Sequence, residues 1–279
     1  MQFVPIAGPQ QRQEMVALLD EGFPQQNVDW PMMFAAPAGQ MGHGLLLIAD
    51  GAAQGGILCF EKMQTKGGRR RRVVNLSSWY IRPPYRKFAV RMMREATADP
   101  NTIYTVCSPI PSVRTICLRT GFRYVSHGSI ASIPLLNGAV SREVSGIEPF
   151  AASALSNPDD ERLMADHGDD RFIGLVIRMG ANRVPVLWLR GLKVRGLPAV
   201  RLSFTTDYAA LRAALPAIHW YMLRRHGIPG LYLPRIGALA HLRSIRRRDR
   251  GPPLMAKGEI DAEEVNLLYS EFLYLYERK

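Results

Sequence analysis

Residues 85 to 91 read Tyr-Arg-Lys-Phe-Ala-Val-Arg. Three cations fall within seven residues, just after an apolar run, VVNLSSWYI (73–81), and the pair Pro83-Pro84. The residues that follow, AVRMMREAT (89–97), carry a helical period. The start of a helix offers backbone N–H groups with no intrahelical partner and the positive end of the dipole, so anions bind there. Arg86, Lys87 and Arg91 add formal charge. Strand, basic turn and helix together predict a phosphate cradle. The two prolines remove donors from the strand edge. A strand that stops pairing early splays from its neighbour and opens a slot in the sheet.

The elements that must hold this turn are readable around it. QQRQEMVALLDEG (10–22) reads as an amphipathic helix ending at Gly22, and FPQQNVDWPMMFAAPAG as a short helix and loop. LLLIAD (45–50), ILCFEKMQ (57–64) and residues 73–81 read as three meandering strands, joined by the turns GAAQGG and TKGGRRRR. After the helix at 89–97 come a strand (101–108), a helix closed by Gly121 (112–122) and a strand RYVSHGSI. From about residue 150 the order recurs. SNPDDERLMADHG (156–168) is a helix capped by Ser156 or Asn157. Three strands end with AVRLSFTTD (199–207), and a long helix (208–227) through Pro216 leads to GLYLPR (230–235). The expected fold is α/β (α+β) with a mixed, mostly antiparallel sheet, duplicated. The expected domains are 1–148 and 149–279.

Composition bounds the function. The chain has 279 residues, 47% of them apolar, enough for a core. No stretch approaches the roughly 18 consecutive apolar residues of a membrane helix. The start, MQFVPIAGPQQRQE, lacks the basic and apolar regions of a signal peptide. Three cysteines without CxxC spacing point to a reducing, cytoplasmic setting with no disulfide framework and no structural metal. A net charge of +12 draws anions, phosphorylated cofactors among them. The clusters Arg69–Arg72 and Arg243/Arg246–Arg248/Arg250 lack interleaved aromatics, so no nucleic acid is expected; the first reads as a solvated hairpin turn.

The segment 76–91 with Gly121-Phe122 resembles the GCN5-related N-acetyltransferase family, the acyl-CoA N-acyltransferase fold. The matching positions are Leu76, Tyr80, Ile81, Pro84, Tyr85 and Arg86, then Gly121 and Phe122, and the likeness spans about residues 8 to 130. It implies that acetyl-CoA or another acyl-CoA is the donor substrate, with Arg86, Lys87, Phe88, Ala89, Val90 and Arg91 holding its pyrophosphate. Tyr80 and Ile81 would orient the thioester. The reaction implied is direct attack by an amine, a small-molecule acceptor, in a ternary complex. Ala89 and Arg91 stand where the family carries small residues, and Arg91 is bulky for a close phosphate approach.

The resemblance also implies where catalysis would lie. A backbone N–H between Trp79 and Ile81 would bind the thioester oxygen. Glu61, on the central strand, is the candidate base for the amine, with Asp29, His43 and His127 as outsiders. Cys117 occupies the place of the family's acid tyrosine. A thiol with an ordinary pKa of about 8.5 suits that role, or a transient acyl link, while the reading favoured for Cys117 is a small buried apolar side chain on the helix 112–121. Ser77 and Ser78 alternate to opposite faces, and one of them, with Ser78 the choice here, lines the acceptor cleft. In the second half Asp207 caps the corresponding helix and would repel a phosphate, so that half is expected to shape the acceptor site. Two rival readings remain: a donor held on an acyl-carrier protein, giving N-acyl amino acids or lipids, and a non-catalytic binding protein on the same fold. A homodimer is compatible with either.

Overall fold

The computed structural model describes residues 1–25, 28–34, 42–66, 69–136, 138, 141–150, 155, 157–245, 253–265, 267 and 268. The first half runs β1 (Gln2–Pro5), α1 (Pro9–Gly22), a 3-10 turn (Trp30–Phe34), β2 (Gly44–Ala49), β3 (Ala52–Lys66) and β4 (Arg69–Ile81). A 3-10 turn (Pro83–Phe88), α2 (Ala89–Ala96), β5 (Thr102–Val106), α3 (Pro111–Arg119) and β6 (Arg123–Ser126) follow. The second half contains β7 (Ser129–Ser132), β8 (Val144–Pro149), α4 (Pro158–Asp166), β9 (Phe172–Met179), β10 (Asn182–Val194), β11 (Leu197–Thr205), α5 (Tyr208–His226), β12 (Gly230–Pro234) and β13 (Leu254–Lys257).

Two sheets result. The first has the order β1-β2-β3-β4-β5-β13-β6, the second β7-β12-β11-β10-β9-β8. Each contains one parallel pair whose strands are joined by a helix, β4 with β5 through α2, and β11 with β12 through α5. The remaining pairs are antiparallel. The strand–strand–strand–helix–strand order therefore occurs twice, as the sequence suggests.

The expected border at 148/149 does not separate the sheets. β7 precedes it and β8 runs across it, yet both lie in the second sheet, while β13 crosses back and pairs with β5 and β6. RYVSHGSI is thus two strands. Only His127 and Gly128 join β6 to β7, and Gly128, at φ 154, turns the chain from one sheet to the other. The hairpin readings are also corrected. Gln54, Gly55 and Gly56 belong to β3, and Arg69–Arg72 belong to β4 rather than a turn, because the β3–β4 ladder extends to Lys66↔Arg69. Residues 246–250 lie outside the described residues. α5 runs without a break through Pro216.

Burial sorts the faces of the first sheet. Met15, Leu18 and Leu19 of α1 pack with Leu46, Leu58 and Phe60 on one face. Met92, Met93 and Ala96 of α2 and Cys117 of α3 pack with Leu45, Ile57, Val74, Leu76 and Tyr104 on the other. A third cluster joins the halves: Val73 and Ile103 meet Leu187, Leu189 and Phe204 through Leu254 and Ala256 of β13. Burying such side chains stabilises by roughly 1.5–3 kcal/mol each.

Candidate functional site

β4 pairs with β5 only from Arg72↔Thr102 to Asn75↔Thr105, whereas it pairs with β3 up to Ile81. Past Asn75 the strand has a neighbour on one side and an open edge on the other. A bulge contributes. Between Ser77↔Leu58 and Tyr80↔Gly56, β4 carries one residue more than β3. Ser78 sits there at φ 43, in the left-handed region. Such a residue costs about 1–2 kcal/mol, and bulges increase twist, which turns the end of β4 away from β5.

The bulge also corrects the reading of the two serines. Regular alternation would send them to opposite faces. Instead the Ser77 and Ser78 hydroxyls lie 3.3 Å apart, with Ser78 Oγ 4.0 Å from Met33 Sδ. Ser78 therefore looks toward the 3-10 turn at 30–34, beside α1.

The basic turn closes the open end. Its residues form a 3-10 turn running directly into α2, where Phe88 is the N-cap without a side-chain cap. The Ala89 N–H donates to the Arg86 carbonyl and is already used. Tyr85 Oη donates to Asp50 at 2.5 Å, which raises the phenol's pKa chiefly through that bond.

Ion pairing sorts the cations. Arg82 holds Glu21 through Nε and Nη2 at 2.9 and 2.7 Å, and Tyr80 Oη donates to the same carboxylate at 2.9 Å. Those bonds, Arg82's first, hold the Glu21 carboxyl below its usual range. The Tyr80 ring therefore braces β4 against α1 rather than facing the notch. Arg91 Nε lies 3.9 Å from Glu95, and its guanidinium sits 5.5 Å from the Phe3 ring centroid, so unlike Arg86 and Lys87 it has a carboxylate nearby. Arg86 Nε donates to the Ile81 carbonyl, and Lys87 Nζ sits 5.3 Å from the Phe88 ring centroid. Both are exposed, and neither has a carboxylate partner among the described residues. Two uncompensated cations at the mouth of the notch fit a pyrophosphate. Phe88, Ala89 and Val90 are half-buried and give the helix start its packing.

The expected catalytic groups are not brought together. Glu61 Oε2 meets Arg72 Nη2 at 2.8 Å, and Arg72 Nη1 also donates to Asp99 and Thr102. The carboxylate is committed to a strut where β4 and β5 are still paired. Cys117 is fully buried in the core under α2 and α3, and burial pushes its thiol up to about 12. It is a core side chain and no proton donor to a ligand. His43 is buried against Phe34, its pKa lowered by burial first and by Arg12 second. His127 packs on Tyr124, and Asp29 is exposed before the 3-10 turn.

A polar group that sequence reasoning missed lies on the opposite face of the sheet from Glu61. Lys62 on β3, Asn75 on β4 and Thr105 on β5 line a small pocket, with room for no more than about one water, under Ile260, Glu264, Val265 and Leu268. Asn75 Nδ2 donates to Thr105 Oγ1 at 3.0 Å and to Cys107 Sγ at 3.1 Å. Period-2 alternation alone would have placed Lys62 opposite Glu61. Which face the notch serves follows only from the fold.

The second half repeats part of the design. β11 and β12 stop pairing at Arg201↔Tyr232, and β11 carries an extra residue between Leu202 and Phe204. Asp207 Oδ1 accepts from the N–H groups of Ala209 and Ala210 at 2.8 and 2.9 Å. Its own carboxylate thus fills the helix start that α2 leaves uncapped. Among the described residues no helix is long and apolar enough to cross a membrane, and no cluster of three acidic, histidine or cysteine side chains could hold a metal.

No family model matches the chain, and no curated protein does. Solved structures do. A GCN5-related N-acetyltransferase from Anabaena variabilis superposes with a TM-score of 0.61 at 14% identity, over 91% of this chain and 72% of that one. One from Kribbella flavida gives 0.58 at 14% identity over 91% and 70%. Eis1 from Mycobacterium abscessus gives 0.55 at 12% identity over 92% and 73%. The chain therefore has the fold of the GCN5-related N-acetyltransferases, the acyl-CoA N-acyltransferase fold.

Proposed function

We propose that the chain is an acyltransferase that moves an acetyl or other acyl group from acyl-CoA to an amine. The observation that carries this is the notch itself: β4 and β5 part after Asn75 and Thr105, and Arg86 and Lys87 stand uncompensated at its mouth. Arg86 and Lys87 bind the pyrophosphate through charge-assisted hydrogen bonds, aided by N–H groups of the turn and of α2. The pantetheine lies along the open edge of β4. Alternate backbone N–H groups over 76–81 point out of that edge. One of them, near Trp79 to Ile81, stabilises the thioester oxygen as it gains charge. The acceptor amine approaches from the face carrying Lys62, Asn75 and Cys107, with the second half forming the far wall.

The test is calorimetric titration of acetyl-CoA and CoA into the wild type and Arg86→Ala at moderate salt. Micromolar binding that the substitution weakens is expected. Binding of neither ligand overturns the reading and leaves a carrier-bound donor or a non-catalytic module.

A further inference from the structure

Arg82 is the one residue between β4 and the 3-10 turn 83–88. Its Nε donates to Glu21 Oε1 and Oε2 at 3.2 and 2.9 Å, and its Nη2 to Glu21 Oε2 at 2.7 Å. Its Nη1 reaches the Ala53 carbonyl at 3.1 Å and Gln54 Oε1 at 3.3 Å. One guanidinium thus ties the end of β4 to the last turn of α1 and to β3. The backbone repeats the tie. The Arg82 N–H donates to the Gln54 carbonyl, and the Arg82 carbonyl accepts from the Tyr85 N–H, both at 2.9 Å.

Further along, Tyr85 Oη donates to Asp50, which stands in the connection from β2 to β3, and Arg86 Nε returns to the Ile81 carbonyl at 3.3 Å. No residue of the turn is fully buried; Tyr85 and Phe88 only lean on the core. A segment with so little buried surface takes much of its position from polar ties. Arg86 and Lys87 therefore hang from a turn fastened at Arg82 and Tyr85. The carboxylate at the root of the main tie has a second effect. Glu21 is a negative charge beside a turn that should attract anions, and by charge alone it opposes phosphate binding. Geometry and charge make opposite predictions for its removal.

We propose that Glu21, acting through Arg82, is a positioning residue for the phosphate-binding turn, and that its hold on the turn outweighs its unfavourable charge. This rests on the acyl-CoA reading above and adds what sets the affinity for the donor. Arg82 is then a neutralised strut and no third phosphate ligand. A pyrophosphate must meet Arg86 and Lys87 at hydrogen-bond distance together, and a shift of about 1 Å is enough to lose one of them. The guanidinium fork matches the carboxylate with two bonds, whereas a lysine would offer a point charge without that fixed geometry. The two side chains are 36% and 41% exposed, so the pair contributes little to global stability. Its loss is felt at the turn and in the ligand.

The test is calorimetric titration of CoA into the wild type, Glu21→Ala, Glu21→Gln and Arg82→Lys at one salt concentration. Glu21→Ala makes the mouth more positive, yet it should weaken CoA about tenfold, the worth of one charge-assisted hydrogen bond. Glu21→Gln removes the same charge but keeps an acceptor for Arg82, and should lose only about threefold. Arg82→Lys keeps the charge and loses the fork, and should match Glu21→Ala. Melting temperatures should stay within about 3 °C of the wild type. Amide exchange over residues 82–90 should quicken in free Glu21→Ala. S-acetylpantetheine has the thioester and no phosphate, and should bind all four proteins alike in ligand-observed NMR. Unchanged or tighter CoA binding by Glu21→Ala overturns the proposal and leaves the acyl-CoA reading intact. So does an equal loss in Glu21→Ala and Glu21→Gln, or an equal weakening of S-acetylpantetheine. No binding of CoA by the wild type overturns both.

Discussion

Glu61 and Arg72 form a strut, and a double-mutant cycle tests that assignment. Their atoms lie 2.8 Å apart, with side chains 18% and 12% exposed. Exposed pairs contribute about 0.2–1 kcal/mol, and breaking a fully buried one costs about 3–5 kcal/mol. A largely buried, charge-assisted bond falls between them. Arg72→Met strands the Glu61 carboxylate and should cost about 3 kcal/mol. Glu61→Gln keeps an acceptor oxygen facing Arg72 and should cost about 1 kcal/mol. Together they should cost less than their sum, with a coupling of about 1.5 kcal/mol. Urea unfolding of the four proteins at neutral pH gives these values from the transition midpoints. Coupling below about 0.5 kcal/mol refutes the strut. So does a Glu61→Gln protein of unchanged stability that binds acyl-CoA yet transfers nothing, since that is the signature of a base.

Burial lowers the pKa of His219 from 6.5 to about 4. The unfolded ring takes up a proton near pH 6.5 and the folded one only near 4. The group's contribution is therefore complete above pH 6.5 and is lost as pH falls toward 4, by up to roughly 3 kcal/mol. Denaturant midpoints of the wild type should fall more steeply than those of His219→Gln across that window, and parallel curves exclude the effect. Gly22 touches Tyr80: a Cβ there would stand 2.4 Å from the ring. Gly22→Ala must displace the ring from its bond to Glu21, at about 1–3 kcal/mol. A melting temperature several degrees lower is expected, and an unchanged one shows that the ring is free to shift.

The basic turn was legible because its signals are local. Two prolines end a strand, the cations follow, and a helical period begins within ten residues. Asp207 was legible for the same reason, since an N-cap acts only two or three residues away. The bulge at Ser78 was not, because its sequence, Leu-Ser-Ser-Trp, is ordinary strand composition and the extra residue shows only against β3. Glu61 looked available because its partner, Arg72, sits across a hairpin and reads as part of a charged turn. Cys107 and Lys62 gained significance only when the fold set them on one face beside Asn75. β13 was invisible: four residues, Leu-Met-Ala-Lys, find their partners about 130 to 150 positions earlier.

That last strand has a consequence for how the chain is made. β5 and β6 do not touch each other as neighbours; residues 254–257 lie between them. During synthesis the first sheet waits, with two strands unjoined, until residues 254–257 have left the ribosome. In the same interval β7 has already been given to the second sheet. Residues 1–148 hold β7, which the second sheet needs, and residues 149–279 hold β13, which the first needs, so a chain cut near residue 148 yields two fragments with open edges rather than two working domains. The notch acquires its finished wall only when residues 254–257 have paired with β5 and β6.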